Sequence, residues 1–419
     1  MFRLANIVRH YDWGSTSDLP ALLGIPEDGR PYAEMWFGAH PSAPSQVVAS
    51  RAVASVTAPG DLQVPRSLDA AIAAASAELL GPGVAARFGG RLPYLLKLLA
   101  AGRPLSLQVH PTAEQARAGF ARERVHGLPA QPTYPDASHK PELLVALSDV
   151  VALAGFREPA EVADLLSGSG VAELDTIVTG LRGHGPADGL LRTAFGSLLA
   201  LPGPAVERAL AAVGERSEGT DPIHDTVHRL LVCFPGDVGV LAAILLNPVA
   251  LAPGQALFVG TDPIHCYVSG LGLEIMTASD NVLRAGLTTK RVDVPELMFV
   301  VDFTPAPALV IDPGSSMPGG GLVDRRYPCP VAEFEVDVVE VDTEDPVVAR
   351  LTEGPRTVVC LAGMVRVGTS QAWTSLAGGE SVFVGDTEGP VELAGVGTVA
   401  IASVPRPGSQ VPRPGSQVP

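Results

Sequence analysis

The chain has 419 residues, long enough for two or three domains that each bury a core. Hydrophobic residues make up 46% and charged residues 18%, with 45 Gly and 39 Pro, which suits a turn-rich, largely β protein rather than a helical bundle or a disordered chain. A formal net charge of −16 excludes broad binding to nucleic acid or to an anionic membrane, because both need an extended basic surface.

In chain order, residues 1–155 are punctuated by Pro and Gly and carry short apolar runs such as "RLPYLLKLL" and "PLSLQVH", with helical pieces such as "LDAAIAAASAELLG". Residues 156–250 change character. The stretches "EPAEVADLLSGSG", "DGLLRTAFGSLLAL", "AVERALAAVGERS" and "TVHRLLVCF" space apolar residues by three and four, which predicts a helical insertion. Alternation returns over 251–305, and residues 306–403 read as a second β domain with almost no His. The end, 404–419, repeats a seven-residue unit without an apolar face and is expected to be a disordered tail.

The N-terminus lacks the apolar stretch of a signal peptide, and no run approaches the roughly 18 apolar residues of a membrane span. Cys233, Cys266, Cys329 and Cys360 follow no paired spacing, so neither a disulfide framework nor a thiolate metal site is expected. A soluble protein of the reducing cytoplasm, with no membrane and no nucleic-acid partner, is the reading. Arg occurs 26 times and Lys three times, at 97, 140 and 290. In a chain so biased toward Arg, these lysines mark places where a compact ammonium matters.

Three short stretches carry metal-type donors. In "PLSLQVHPT", strand alternation points Gln108 and His110 to one side and Leu107 and Val109 to the other. "DASHKPELL" contains Lys140 and Glu142, and "TDPIHCYVSG" contains His265. Two imidazoles and a carboxylate are what a catalytic zinc accepts, while a carboxamide oxygen is a weaker ligand that leaves the ion electrophilic. Each His alone reads more often as a hydrogen-bonded core residue than as a ligand, and Glu142 alone could be a surface carboxylate. A cationic loop, "SDNVLRAGLTTKRVDV", brings Arg284, Lys290 and Arg291 together and suits a phosphate. Its alternative is a solvated loop balancing Asp280 and Asp293.

Taken together, "YDWG", "AEMWFGAHPSAPS", "LPYLLKLLAAGRPLSLQVHP", "HKPELLVAL", "AGFR", "PGQALFVGTDPIHCYVSG" and "EIMTASDNVLRAGLTTKRVDV" resemble the type I mannose-6-phosphate isomerases over roughly residues 1–300, in that family's order. The resemblance implies a zinc-dependent enzyme of the cupin superfamily, mainly β with a helical insertion. It would hold two cupin-like β-barrel or jelly-roll domains, the catalytic one formed by 1–155 and 251–305 and the other by 306–403, with the α-helical domain at 156–250. Gln108, His110, Glu142 and His265 would be the ligands of one Zn2+ per chain. Arg284 would be essential, with Ser106, Lys140, Glu274, Asp280 and Lys290 as further polar positions of the site.

The implied reaction interconverts mannose 6-phosphate and fructose 6-phosphate through a cis-enediol, in a monomer whose partner is a small sugar phosphate. Lys140, Glu274 and Asp280 stay open as the proton-transferring base. Arg284 would steady the enediolate or the phosphate, and Ser106 and Lys290 would hold the phosphate. Two departures from the family pattern, Ile264 and Cys266 beside His265 and Thr289 where Pro is usual, remove no ligand. The alternatives are a cupin that binds a sugar phosphate without turning it over, or an isomerase for another aldose and ketose.

Overall fold

The computed structural model describes residues 1–48, 67–125, 127, 131–215, 221–349 and 353–407, so the expected tail falls outside the description from residue 408 onward. The fold is mainly β with helices, and the helices Pro159–Leu166, Ala172–Leu181, Ala187–Leu199, Gly203–Glu215, Ile223–Cys233 and Gly239–Ala243 follow one another where the periodicity predicts them. The predicted helix over 68–81 is two short ones, Leu68–Ala74 and Ser76–Leu80, interrupted at Ala75, whose φ of −144° and ψ of 47° leave the helical region. By compactness the chain forms two units: Met1–Ala100 with Leu273–Ala278 and Ile311–Pro419, and Ala101–Gly272 with Ser279–Val310.

In the first unit, one antiparallel sheet runs in the order Gly314–Gly319, Leu322–Tyr327, Glu335–Val348, Glu392–Ser403, Arg356–Gly368, Ser381–Val384, Phe2–Ala5 and Gln46–Val48. The N-terminal strand therefore closes against the far end of the chain, with Phe2 opposite Phe383. Its buried face is built from Val358, Val365, Val382, Leu393, Val399 and Ile401, the alternate residues that β-branched patterning predicts. A second set of strands, Ile7–Arg9, Glu34–Phe37 and Tyr94–Ala101, pairs in sequence.

The second unit is organised by three strands. Leu107–Val109 pairs with His265–Thr277 on one side and with Leu283–Gly286 on the other, and Val150–Phe156 extends the row beyond His265. Leu107, Val109, Ile264, Cys266, Leu283 and Ala285 all enter one apolar core with the helices, including Leu174, Leu191, Phe195, Leu210 and Leu230. The helical segment is thus the backing of this sheet. Burying each such side chain contributes roughly 1.5–3 kcal/mol, which fixes the register because a one-residue slip would turn the whole apolar set away from the helices.

The expectation of closed cupin-like barrels needs correction. In neither sheet does the path of paired strands return to its start, and the first sheet ends on the edges Gly314–Gly319 and Gln46–Val48. Closure requires both edges to find one another through backbone hydrogen bonds; here the described strands form open sheets.

The neck of the helical segment is clamped by Arg157. Its two terminal nitrogens donate to Asp221 at 2.9 and 2.8 Å, and its Nε donates to the Leu246 carbonyl at 2.9 Å. Such a bidentate, charge-assisted pair combines geometric and electrostatic stabilisation. Asp221→Ala strands a largely buried guanidinium and should lower stability by about 2 kcal/mol, read as a lower urea midpoint; an unchanged midpoint would show that the clamp carries no net stability.

Candidate metal centre

The alternation that buries Leu107 and Val109 turns Gln108 the other way, and its cross-strand neighbours are His265 and Arg284. Residues directly opposite on paired antiparallel strands share a face. Arg284, Gln108 and His265 therefore form one polar row on the side of the sheet away from the helices. Ser106, half-buried two residues before Gln108, follows the same alternation.

His110 lies just past the end of the Gln108 strand and is fixed from several sides. Its carbonyl accepts the N–H of Asp262 at 2.8 Å, and Asp262 holds a φ of 74°, a left-handed conformation that Asp tolerates better than most residues. After Pro111 the chain enters the helix Ala113–Val125 through reciprocal bonds. Thr112 N–H donates to Gln115 Oε1 at 2.8 Å and Gln115 N–H to Thr112 Oγ1 at 3.2 Å, a capping box that anchors the far side of His110.

The donor atoms converge on one carboxylate. Nε2 of His110 is 3.2 Å from Glu142 Oε1, and Nε2 of His265 is 3.5 Å from Oε2. The other nitrogen of each ring meets a backbone carbonyl. Nδ1–H of His110 donates to Asn281 at 2.8 Å and Nδ1–H of His265 to Pro263 at 3.2 Å. That choice of tautomer leaves both Nε2 lone pairs aimed inward, which is how ligating imidazoles are held.

The residues fit a divalent ion. One ligand atom from each of His110, Glu142 and His265 lies within 4.8 Å of the others, and all three residues are buried. Nε2 of His110 is buried without a hydrogen bond, an arrangement that costs free energy unless something coordinates it. Two nitrogens and a carboxylate oxygen, with the Gln108 carboxamide on the same face as His265, make a zinc-type donor set.

Electrostatics prepare the ligands. Burial pushes the His110 pKa down to about 4, and the Lys140 charge adds to that, so the ring is neutral and able to ligate at neutral pH. For Glu142 burial works toward the protonated form. Lys140 and the two imidazoles outweigh it and hold the carboxyl well below the usual carboxylate range. Lys140, itself buried, donates from Nζ to Glu142 Oε1 at 2.5 Å.

The remaining predicted residues are placed as follows. Arg284 is half-buried, and burial lowers its pKa; exposed Lys290 has its pKa lowered by partial burial and then by the Arg284 charge, so the two cations feel one another. Arg291 is paired with Asp293 at 2.7 Å, as the balanced-loop reading has it. Asp280 is exposed. Glu274 belongs to the first unit, where it accepts from Lys97 Nζ at 3.0 Å beside Glu34 and Trp36.

Sequence reasoning missed Asp136, Ser279 and Asn281, which tie down the loops around the ligands. The only signal for them is a cluster of turn formers, "SDN", within reach of an Asp that precedes "HKPE".

These shifts set a pH dependence for the metal-free protein. Between about 6.5, the ordinary imidazole value, and about 4, the unfolded chain takes up a proton at His110 that the folded chain refuses. Stability should therefore fall as pH falls through that window, by up to about 1.4 kcal/mol per unit from this ring. The Glu142 contribution is present above its ordinary value and is lost only below it, in more acid solution. Urea midpoints of chelated protein from pH 7 to 4 should show the slope, and His110→Gln should flatten it; equal slopes would remove His110 as the source.

Comparison with known proteins shows the family. The family model described as phosphomannose isomerase type I, catalytic domain, matches residues 1–159. The chain is 36% identical over 413 residues to the mannose-6-phosphate isomerase of Salmonella typhimurium, covering 96% of this chain and 98% of that one. It is 32% identical over 371 residues to that of Rattus norvegicus, covering 81% and 82%. A solved mannose 6-phosphate isomerase bound with zinc and yttrium aligns with a TM-score of 0.83 at 35% identity, over 97% of this chain and 100% of the other. The apo form from Salmonella typhimurium gives 0.83 at 34%, over 97% and 99%. The chain belongs to the mannose-6-phosphate isomerase family.

Proposed function

We propose that this chain interconverts mannose 6-phosphate and fructose 6-phosphate, with Gln108, His110, Glu142 and His265 holding one zinc ion. The observation that carries the reading is the juxtaposition of a cationic residue with a metal-ready centre: Arg284 shares a strand row with Gln108 and His265, and the His265 ring lies 5.0 Å from that of His110, whose Nε2 is unbonded. A sugar phosphate needs both, a centre for its hydroxyl and carbonyl oxygens and a cation for its phosphate or for developing negative charge. Among the described residues no helix is long and apolar enough to cross a membrane, and the four cysteines are free. Both facts support a cytoplasmic enzyme, which we take to act as a monomer.

Aldose–ketose isomerisation moves a proton between C2 and C1 through a cis-enediol. Bound zinc would supply Lewis acidity toward the sugar oxygens. The protein supplies the rest. Glu142, kept ionised, and the neutral His110 imidazole hold the ligand set in place with His265 and Gln108. Arg284 offers a half-buried guanidinium to the enediolate or the phosphate, with Lys290 and Ser106 as further phosphate partners. A base takes the C2 proton and returns it at C1. Lys140, Glu274 and Asp280 are the nominees.

For the architecture, we retain the division into a catalytic cupin-like part (1–155 and 251–305), a helical insertion (156–250), a C-terminal cupin-like part (306–403) and a tail (404–419). The run of helices between 159 and 243 supports the insertion, while the sheet of residues 314–403 also takes in Phe2–Ala5 and Gln46–Val48.

Purified protein should convert mannose 6-phosphate to fructose 6-phosphate, lose that activity on chelation and regain it when zinc is restored, with one zinc per chain by metal analysis. Unphosphorylated mannose should be a poor substrate in the same assay. Arg284→Ala should lower kcat/KM by roughly 10²–10³-fold, the loss typical of removing one fixed charge from a developing oxyanion. A positioned base contributes about 10²–10⁴-fold, so near-normal turnover in Lys140→Met would reassign that role to Glu274 or Asp280. One bound zinc without turnover would leave a sugar-phosphate binder instead of an isomerase.

A further inference from the structure

Asp136 lies outside the ligand set, yet its carboxylate gathers donors from two separate segments. Oδ1 accepts the Ser138 N–H at 2.9 Å, the Ser279 hydroxyl at 2.9 Å and Asn281 Nδ2 at 3.2 Å, and Oδ2 accepts the Asp280 N–H at 2.9 Å. The Asn281 amide returns the tie by donating to the carbonyls of Asp136 at 2.9 Å and Ser138 at 2.7 Å. Ser279 and Asn281 are buried, so water cannot replace these bonds cheaply.

Each segment leads to a ligand. The carbonyl of Asn281 is the acceptor that sets the His110 tautomer, and the turn at 136–138 runs directly into Lys140 and Glu142. One carboxylate therefore couples the segment that delivers the ligand carboxylate to the turn that orients the ligand imidazole. We propose that Asp136 is the positioning residue of the centre, setting its affinity for a divalent ion by fixing the Asn281 carbonyl against His110 and the approach of Glu142. This rests on the reading of His110, Glu142 and His265 as the metal site.

The side-chain chemistry is specific. A carboxylate has acceptor capacity for several donors at once, whereas an amide of the same shape loses one acceptor oxygen and turns N–H groups toward existing donors. Asp136→Asn should therefore impair the centre less than Asp136→Ala but more than Ser279→Ala, which removes a single hydroxyl. Loss of groups that orient metal ligands weakens binding by roughly 10–100-fold, and that is the effect expected for Asp136→Ala.

The test is zinc affinity of the full chain, measured by competition with a chromophoric chelator, for the wild type, these three variants and Asp221→Ala. The last loses the Arg157 clamp and reports what a general loss of stability does to zinc binding. Graded weakening in the Asp136 and Ser279 variants, with Asp221→Ala at the wild-type value and isomerase activity of Asp136→Ala recovering at saturating zinc, is the expected result. Wild-type affinity in the variants, or equal weakening in Asp221→Ala, overturns the proposal. Should Asp136→Ala fail to fold, Ser279→Ala decides, and an unchanged value there overturns it. A wild-type chain that binds no zinc overturns the metal-centre reading itself and this proposal with it, an outcome distinct from a wild type that binds tightly beside unaffected variants.

Discussion

A carboxylate taken out of water is the constraint around which the second unit is organised. Glu142 is 3% exposed, and an ionised carboxyl at such depth carries a penalty of several kcal/mol unless opposite charge and hydrogen bonds offset it. Lys140 supplies the charge, at 2.5 Å, and the Nε2 atoms of His110 and His265 lie 3.2 and 3.5 Å from the carboxylate. His110 cannot do this by protonating, because burial and the Lys140 charge suppress its protonation. The centre is left with one carboxylate, one ammonium and the neutral His110 ring with an unbonded nitrogen, beside the His265 ring. A divalent ion is the species that would use that nitrogen and the carboxylate together.

Holding the donors at this point depends on the backing behind them. Three adjacent strands place Leu107 and Val109, Ile264 and Cys266, and Leu283 and Ala285 into the same core as the helices. The intervening residues, Gln108, His265 and Arg284, have no choice of face. The helical segment thus acts on the polar row through packing: it sets the register on which that row depends. Cys266, beside His265, belongs to that backing. Its thiol donates to the Leu105 carbonyl at 3.0 Å, and burial raises its pKa, so it serves as a small core residue rather than a thiolate ligand.

Much of this was legible in the sequence because it is written in local patterns. The alternation in "LQVH" separates Gln108 and His110 from the core residues Leu107 and Val109, and three-and-four spacing locates the helices. The scarcity of lysine was informative too. Lys97 and Lys140 are both buried against carboxylates, where a compact ammonium fits, and Lys290 feels the charge of Arg284.

What stayed hidden is non-local. The pairing of Phe2 with Phe383 leaves no trace in either segment, and open sheets cannot be told from closed barrels by alternation alone. Asp136, Ser279 and Asn281 were overlooked because Asp, Ser and Asn are the ordinary vocabulary of turns. Their role depends on two segments more than a hundred residues apart meeting in space. Glu274 was the reverse case, conspicuous as a carboxylate in an apolar strand, and its described partner is Lys97.

The overall charge and the substrate pull in opposite directions, and distance decides between them. A net charge of −16 repels a dianionic sugar phosphate, but at physiological ionic strength the Debye length is about 8 Å, so charges spread over the surface are largely screened from one another. Near the site the balance reverses. Lys140 and Glu142 neutralise one another, Arg291 is matched by Asp293, and Arg284 and Lys290 remain as neighbouring cations whose pKa values are lowered. Two cations held close together are more stable with an anion between them than without one. An acidic surface that discourages nonspecific binding of polyanions, combined with a small cationic mouth beside a metal-ready centre, favours a small phosphate ester over a nucleic acid or an anionic membrane.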